Sequence, residues 1–238
     1  MIHSRTVDYQ ADDARMLGFF AIDAERQGAR AAVLVAPEAP GLDDFNRERC
    51  NRLAALGYAA FALDFHGDGT VLCNAEQIGA HVKSFQADPI RIRARAQAAL
   101  AALYAQPEVD RARVAVIGYC FGGTIALELA RSGADVRAVV GFHCGLRTLR
   151  PQDARNVRAK VLICNGVNDP MVPLDERIAF EKEMEAGGVD WQLHLYGGTG
   201  HAYTRPEAGK LGRPGFAYRK ESDERSWQAT LNLLEALG

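Results

Sequence analysis

The 238-residue sequence lacks a cysteine framework. Its five cysteines, Cys50, Cys73, Cys120, Cys144 and Cys164, form an odd set without CxxC spacing, which speaks against paired disulfides or a structural zinc and for a reducing compartment. Charge of one sign is also missing: Lys+Arg 28 against Asp+Glu 30 leaves a net charge of −2, with no run of like charge to attract a phosphate backbone or anionic lipid. Neither nucleic acid nor membrane is an expected partner. Ala31 to Ala36 and Tyr58 to Leu63 are apolar runs of six residues each, far short of the roughly 20 that a membrane helix needs. Met1 to Asp8 has no apolar segment of the signal-peptide kind, so the expected location is the cytoplasm. No Ser/Gly linker, low-complexity block or internal repeat marks a boundary, and the expectation is a single domain over residues 1–238. No cofactor and no metal are expected. Oligomeric state is not written in these features.

What is present is ordinary for a soluble chain: 48% hydrophobic and 24% charged residues, enough to bury a core without staples. Short apolar runs alternate with segments of helical period. Ala31–Val35 reads as a buried strand, followed by a helix from Leu42 to Leu56 that Gly57 stops. Tyr58–Leu63 is the next strand, Pro89–Ala105 a helix with proline in its first turn, and Val114–Gly118 another strand. Gly122–Arg131, Leu174–Ala186 and Asp223–Leu237 read as helices, and Val136–Phe142, Val161–Cys164 and Gln192–Leu195 as strands. Such alternation predicts an α/β fold, a mostly parallel sheet with helices on both faces and its chemistry at the carboxyl ends of the strands.

Gly118-Tyr119-Cys120-Phe121-Gly122-Gly123 follows one of those strands and opens a helix. Glycines two before and two after the central residue permit the sharp turn of a nucleophile elbow, with Cys120 at its apex. A helix N-terminus favours a thiolate and the oxyanion formed when it attacks a carbonyl, and elbow geometry makes the backbone N–H of Phe121 one oxyanion donor. The competing reading of Cys120 is one more small buried residue. A cysteine nucleophile needs a base and the base a group to hold its tautomer. His201, in the glycine-rich loop Tyr196–Ala202, is the candidate base, and Asp169, in Asn165–Pro173, the candidate acid. Taken alone, His201 reads as a solvated loop residue and Asp169 as part of an Asn-Asp-Pro turn. Their order decides, because nucleophile, acid, histidine is the chain order of the α/β-hydrolase fold. His66 and His143 also stand just after strands and are candidates to line the pocket.

These motifs resemble those of the dienelactone hydrolases, α/β-hydrolases with a Cys-His-Asp triad. Gly118–Gly123 is similar to that family's elbow, Leu53–Ala60 to its approach to an early strand, and Gly200-His201-Ala202-Tyr203 to its histidine loop; the likeness runs from about Met16 to Leu237. It implies hydrolysis of a carboxylic ester or lactone, a small-molecule substrate. Glu38, which by its surroundings reads equally as a solvated loop carboxylate, matches the family glutamate that contacts the resting cysteine. Ala39 matches the second oxyanion donor. Arg205, four residues after the histidine, matches the arginine that pairs with a substrate carboxylate; the competing reading is a solvated surface arginine. A second family arginine has no counterpart among His66–Thr70, and Glu207–Lys220 is longer than the family loop. The alternatives are a broader esterase or thioesterase with the same triad, and a scaffold that binds a small molecule without turnover.

Overall fold

A computed structural model describes residues 1–12 and 14–236. Its strands are β1 (Ile2–Ala11), β2 (Ala14–Asp23), β3 (Arg30–Ala36), β4 (Ala59–Ala62), β5 (Val109–Tyr119), β6 (Ala138–Phe142), β7 (Lys160–Gly166) and β8 (Trp191–Tyr196). The helices are α1 (Asp44–Ala55), α2 (Ala75–Gln86), α3 (Pro89–Tyr104), α4 (Phe121–Arg131), α5 (Leu174–Gly187) and α6 (Lys220–Glu235). All eight strands form one sheet in the order β1-β2-β4-β3-β5-β6-β7-β8. β1 pairs antiparallel with β2 and β2 antiparallel with β4, and every later pairing is parallel.

The central parallel strands, β3, β4, β6, β7 and the second half of β5, are buried on both faces, which is why they appear in the sequence as unbroken apolar runs, whereas the edge strand β8 is only half-buried. In β3, Ala32, Leu34 and Ala36 join the core beneath α3, α4 and α5, while Val33 and Val35 join the core beneath α1 and α6. In β5, Val114 and Val116 point to the first of these faces and Ala115 and Ile117 to the second. Period-2 side-chain alternation thus builds two cores from one row of residues.

The β1–β2 hairpin and α2 are absent from the sequence reading. β1 alternates exposed with half-buried positions, as a solvated edge strand does, and gives no continuous apolar run. Helix α2 buries only Phe85, so its apolar stripe is too thin to announce a helix; Asn74 caps it by accepting from the N–H groups of Glu76 and Gln77. The C-terminal helix starts at Lys220, three residues earlier than its predicted Asp223, and the predicted end at Leu237 lies outside the described residues. β5 begins at Val109, five residues before its predicted Val114, because its first half is largely exposed, and the other boundaries move by one or two residues at most. Among the described residues no helix is long and apolar enough to cross a membrane.

Candidate active site

Five loops at the carboxyl ends of strands converge: Glu38 follows β3, Cys120 follows β5, His143 follows β6, Asp169 follows β7 and His201 follows β8. Cys120 sits between strand and helix at φ 53°, a left-handed conformation that costs a non-glycine residue energy and lifts its side chain out of both elements. The flanking glycines explain how the chain reaches it. A Cβ at Gly118 would collide with the Gly122 carbonyl, and one at Gly122 with the Ala36 carbonyl. Cys120 N–H donates to the Phe142 carbonyl at 2.9 Å, pinning the turn to the neighbouring strand.

His201 Nε2 lies 3.2 Å from Cys120 Sγ, and its Nδ1 lies 2.8 Å from Asp169 Oδ2. Burial pulls the imidazole pKa down, but Cys120 and Asp169 outweigh it and raise His201 to about 10. The carboxylate is fixed in turn, Asp169 Oδ1 accepting the Met171 N–H at 2.8 Å. The histidine loop is held from several sides. His201 N–H donates to Gly215 O at 2.7 Å, the Tyr203 hydroxyl to Cys164 O at 2.9 Å, and a buried Arg49 guanidinium to Thr204 O at 3.1 Å. Gly215 and Phe216 belong to the long stretch between residues 207 and 220, and the Phe216 ring lies 4.7 Å from that of His201.

His143, singled out as a pocket residue, is instead fully buried behind His201. Its ring meets that of His201 edge-on at 5.1 Å, its Nε2 is 2.8 Å from Thr204 Oγ1, and burial followed by the charge of His201 pushes its pKa well down, so it stays neutral. His66 reaches back across the loop after β3, with Nε2 2.9 Å from Ala39 O and Nδ1 3.3 Å from His81 Nδ1 on α2. His81 carried no signal in the sequence because α2 itself was not legible.

Glu38 and Arg205 are placed differently from the expectation. Glu38 is buried and its Oε2 accepts from Arg205; among the described residues it makes no hydrogen bond to Cys120. Burial raises its pKa, with Arg205 opposing. Arg205 is not a free cation aimed at solvent. The nitrogen that binds Glu38 also donates to Asp43 Oδ2 at 2.9 Å, and the Phe45 ring lies 4.5 Å from the guanidinium carbon. Asp43 was missed by the sequence reading. Its visible signal, an aspartate just before a helix, is that of a cap, and nothing local announces a partner 162 residues away.

A cysteine elbow, a carboxylate and a histidine, in that chain order on a mostly parallel eight-stranded sheet, define an α/β-hydrolase. More narrowly, the chain belongs to the dienelactone hydrolase family, whose model matches residues 18–238. It is similar to a dienelactone-hydrolase-like promiscuous phosphotriesterase from metagenomic libraries, with 43% identity and a TM-score of 0.95 across 99% of this chain and 98% of that one. It is 29% identical over 187 residues to carboxymethylenebutenolidase of a Pseudomonas species, covering 75% of this chain and 76% of the relative. A Bradyrhizobium protein described as a probable 2-oxo-3-(5-oxofuran-2-ylidene)propanoate lactonase is 28% identical over 215 residues, 86% of this chain and 83% of its own. The protein is a hydrolase of ester or lactone bonds acting on a small molecule.

Proposed function

We propose that Cys120 is the nucleophile of this hydrolase, with His201 as its base and acid and Asp169 as the group that orients the imidazole. The observation that carries this reading is the row Cys120 Sγ, His201, Asp169 Oδ2, with contacts of 3.2 and 2.8 Å, set at a strand-to-helix turn in a left-handed conformation. Sγ attacks the acyl carbon, and the carbonyl oxygen becomes an oxyanion that accepts from the backbone N–H groups of Phe121 and Ala39. As the tetrahedral intermediate collapses, the C–O bond to the alcohol breaks and the alkoxide leaves with the proton from His201 Nε2. The acyl thioester is then attacked by a water whose proton passes to His201, and the acid departs as the thiolate is restored.

In this reading Glu38 holds Arg205 while the enzyme rests. Its raised pKa suits a carboxylate that takes up a proton once it leaves that partner, which is the assistance the family resemblance implies for it. His66 fixes the loop that carries the Ala39 donor, through the hydrogen-bond contact with Ala39 O.

Brief mixing with an activated aryl ester, followed by acid quench and intact-mass measurement, tests the proposal. The expected result is one acyl group per chain, on Cys120, absent from Cys120→Ala. An adduct on another residue, or turnover retained by that variant, overturns it. A second reading, cleavage of a phosphotriester, rests on the 43% identity to the metagenomic phosphotriesterase; diethyl aryl phosphate hydrolysis that vanishes with Cys120→Ala would establish it.

A further inference from the structure

The environment of Arg205 bears on which substrates this site admits. One guanidinium faces two carboxyl side chains, so Arg205 keeps an acidic partner even when one of them is displaced. The two acids are held differently. Glu38 hangs from the loop after β3, and burial favours its neutral form. Asp43 is built into the start of α1. Its Oδ1 accepts the Asn46 N–H at 3.3 Å, the Asn46 side chain accepts the Asp43 N–H at 3.3 Å, and this capping box leaves Oδ2 aimed at Arg205. Phe45, the second residue of the same helix, covers a face of the guanidinium.

We propose that Asp43 is a specificity-determining residue, which makes this pocket select uncharged acyl groups over substrates bearing a free carboxylate. The inference rests on Cys120 and His201 being the reacting pair, and the backbone sets the Arg205 cluster beside them: Arg205 N–H donates to Ala202 O at 3.0 Å, next to His201, and Pro37, next to Glu38, packs against Gly122 of the elbow. A substrate carboxylate seeking Arg205 can displace Glu38, which gains a proton and leaves. Asp43 does not leave, because its other oxygen is committed to the helix cap. The incoming anion therefore gives up its hydration to meet a guanidinium already neutralised, and the second acid repels it. A neutral ester meets no such cost. The Glu38–Arg205 contact by itself would make the opposite selection, with Glu38 a removable placeholder for a substrate anion.

The test uses Asp43→Asn and two esters of one leaving group, p-nitrophenyl butyrate and p-nitrophenyl hydrogen succinate, which differ in a terminal methyl against a carboxylate. Asparagine caps a helix as well as aspartate, so α1 keeps its start while the charge is removed. The wild-type enzyme is expected to prefer the butyrate. In Asp43→Asn the ratio of kcat/KM for succinate over butyrate should rise by roughly ten-fold or more, through KM for the succinate, as expected for deleting a unit charge within several ångströms. A wild-type enzyme that prefers the succinate, or an unchanged ratio in the variant, overturns the proposal. Should Asp43→Asn melt well below wild type, Asp43→Ser, also a good cap, gives the same ratio. Cys120→Ala run with both esters separates failure of this inference from failure of the nucleophile assignment: only the latter leaves turnover in that variant.

Discussion

At the C-terminal end of α4, Arg131 is fully buried and all three of its guanidinium nitrogens are engaged, Nε with Glu183 at 2.7 Å, one terminal nitrogen with Glu128 at 3.0 Å and the other with Leu146 O at 2.9 Å. At the N-terminal end, Cys120 is half-buried, turned into a left-handed conformation, and joined to one histidine. Both ends bring ionisable groups out of water. One end consumes its charges internally, in relaxed helical backbone. The other leaves a half-buried sulfur beside one imidazole and concentrates strain around it, with Cys120, His143 and Ala202 all at positive φ without being glycine. Buried charge by itself therefore says little about chemistry; strain and an unfinished set of contacts separate a reacting site from a structural one.

The comparison breaks most directly at the sulfur. Cys120→Ala should lower ester turnover by at least about 10⁴-fold with only a small change in melting temperature. It should also lower the His201 pKa from about 10, because Cys120 is the largest influence raising it, and an NMR titration of the imidazole would read this. The sign matters for stability. A histidine with a raised folded pKa contributes in full below its unfolded value of about 6.5 and loses that contribution as pH rises through about 10, so the variant should lose stability to alkali less steeply than wild type. If His201 titrates identically in both proteins, the sulfur and the imidazole are not coupled.

Next in size is the oxyanion donor. Ala39→Pro removes one backbone N–H and should cost about 10²- to 10³-fold in kcat. Unchanged turnover by a folded variant would put the second donor elsewhere. At the opposite end of α4 the expected loss is in stability. Arg131→Met leaves Glu128 and Glu183 without their shared partner, which should cost about 3–5 kcal/mol and lower the melting temperature by about 10 °C. Well below that temperature kcat/KM should stay within about two-fold of wild type. A stable Arg131→Met enzyme with impaired kcat would erase the distinction between the two ends.

The alternation of strands and helices was legible in the sequence because the central parallel strands, buried on both faces, cannot hide among polar residues. The elbow was legible because three glycines around one cysteine have a steric cause, now visible in the close approach of Gly118, Gly122 and Ala36. His201 and Asp169 followed from chain order, and their side chains do meet. What stayed hidden was contact between distant, individually unremarkable positions. The Arg205–Asp43 pair joins the end of one loop to the cap of another helix, and His66–His81 joins a strand end to a helix that buries a single aromatic. Local pattern carries periodicity and turn chemistry; it does not carry which of several charged residues will share one nitrogen.

The crowding at the elbow has a consequence for engineering. Side chains cannot be added at Gly118 or Gly122 without displacing backbone of the elbow itself or of β3, so libraries that randomise the elbow will return mostly misfolded protein. The freedom to change side chains lies in residues that brace neither the elbow nor the histidine loop, such as the exposed positions of α2. Selection for a new reaction in this scaffold should therefore leave the cysteine's immediate neighbours untouched.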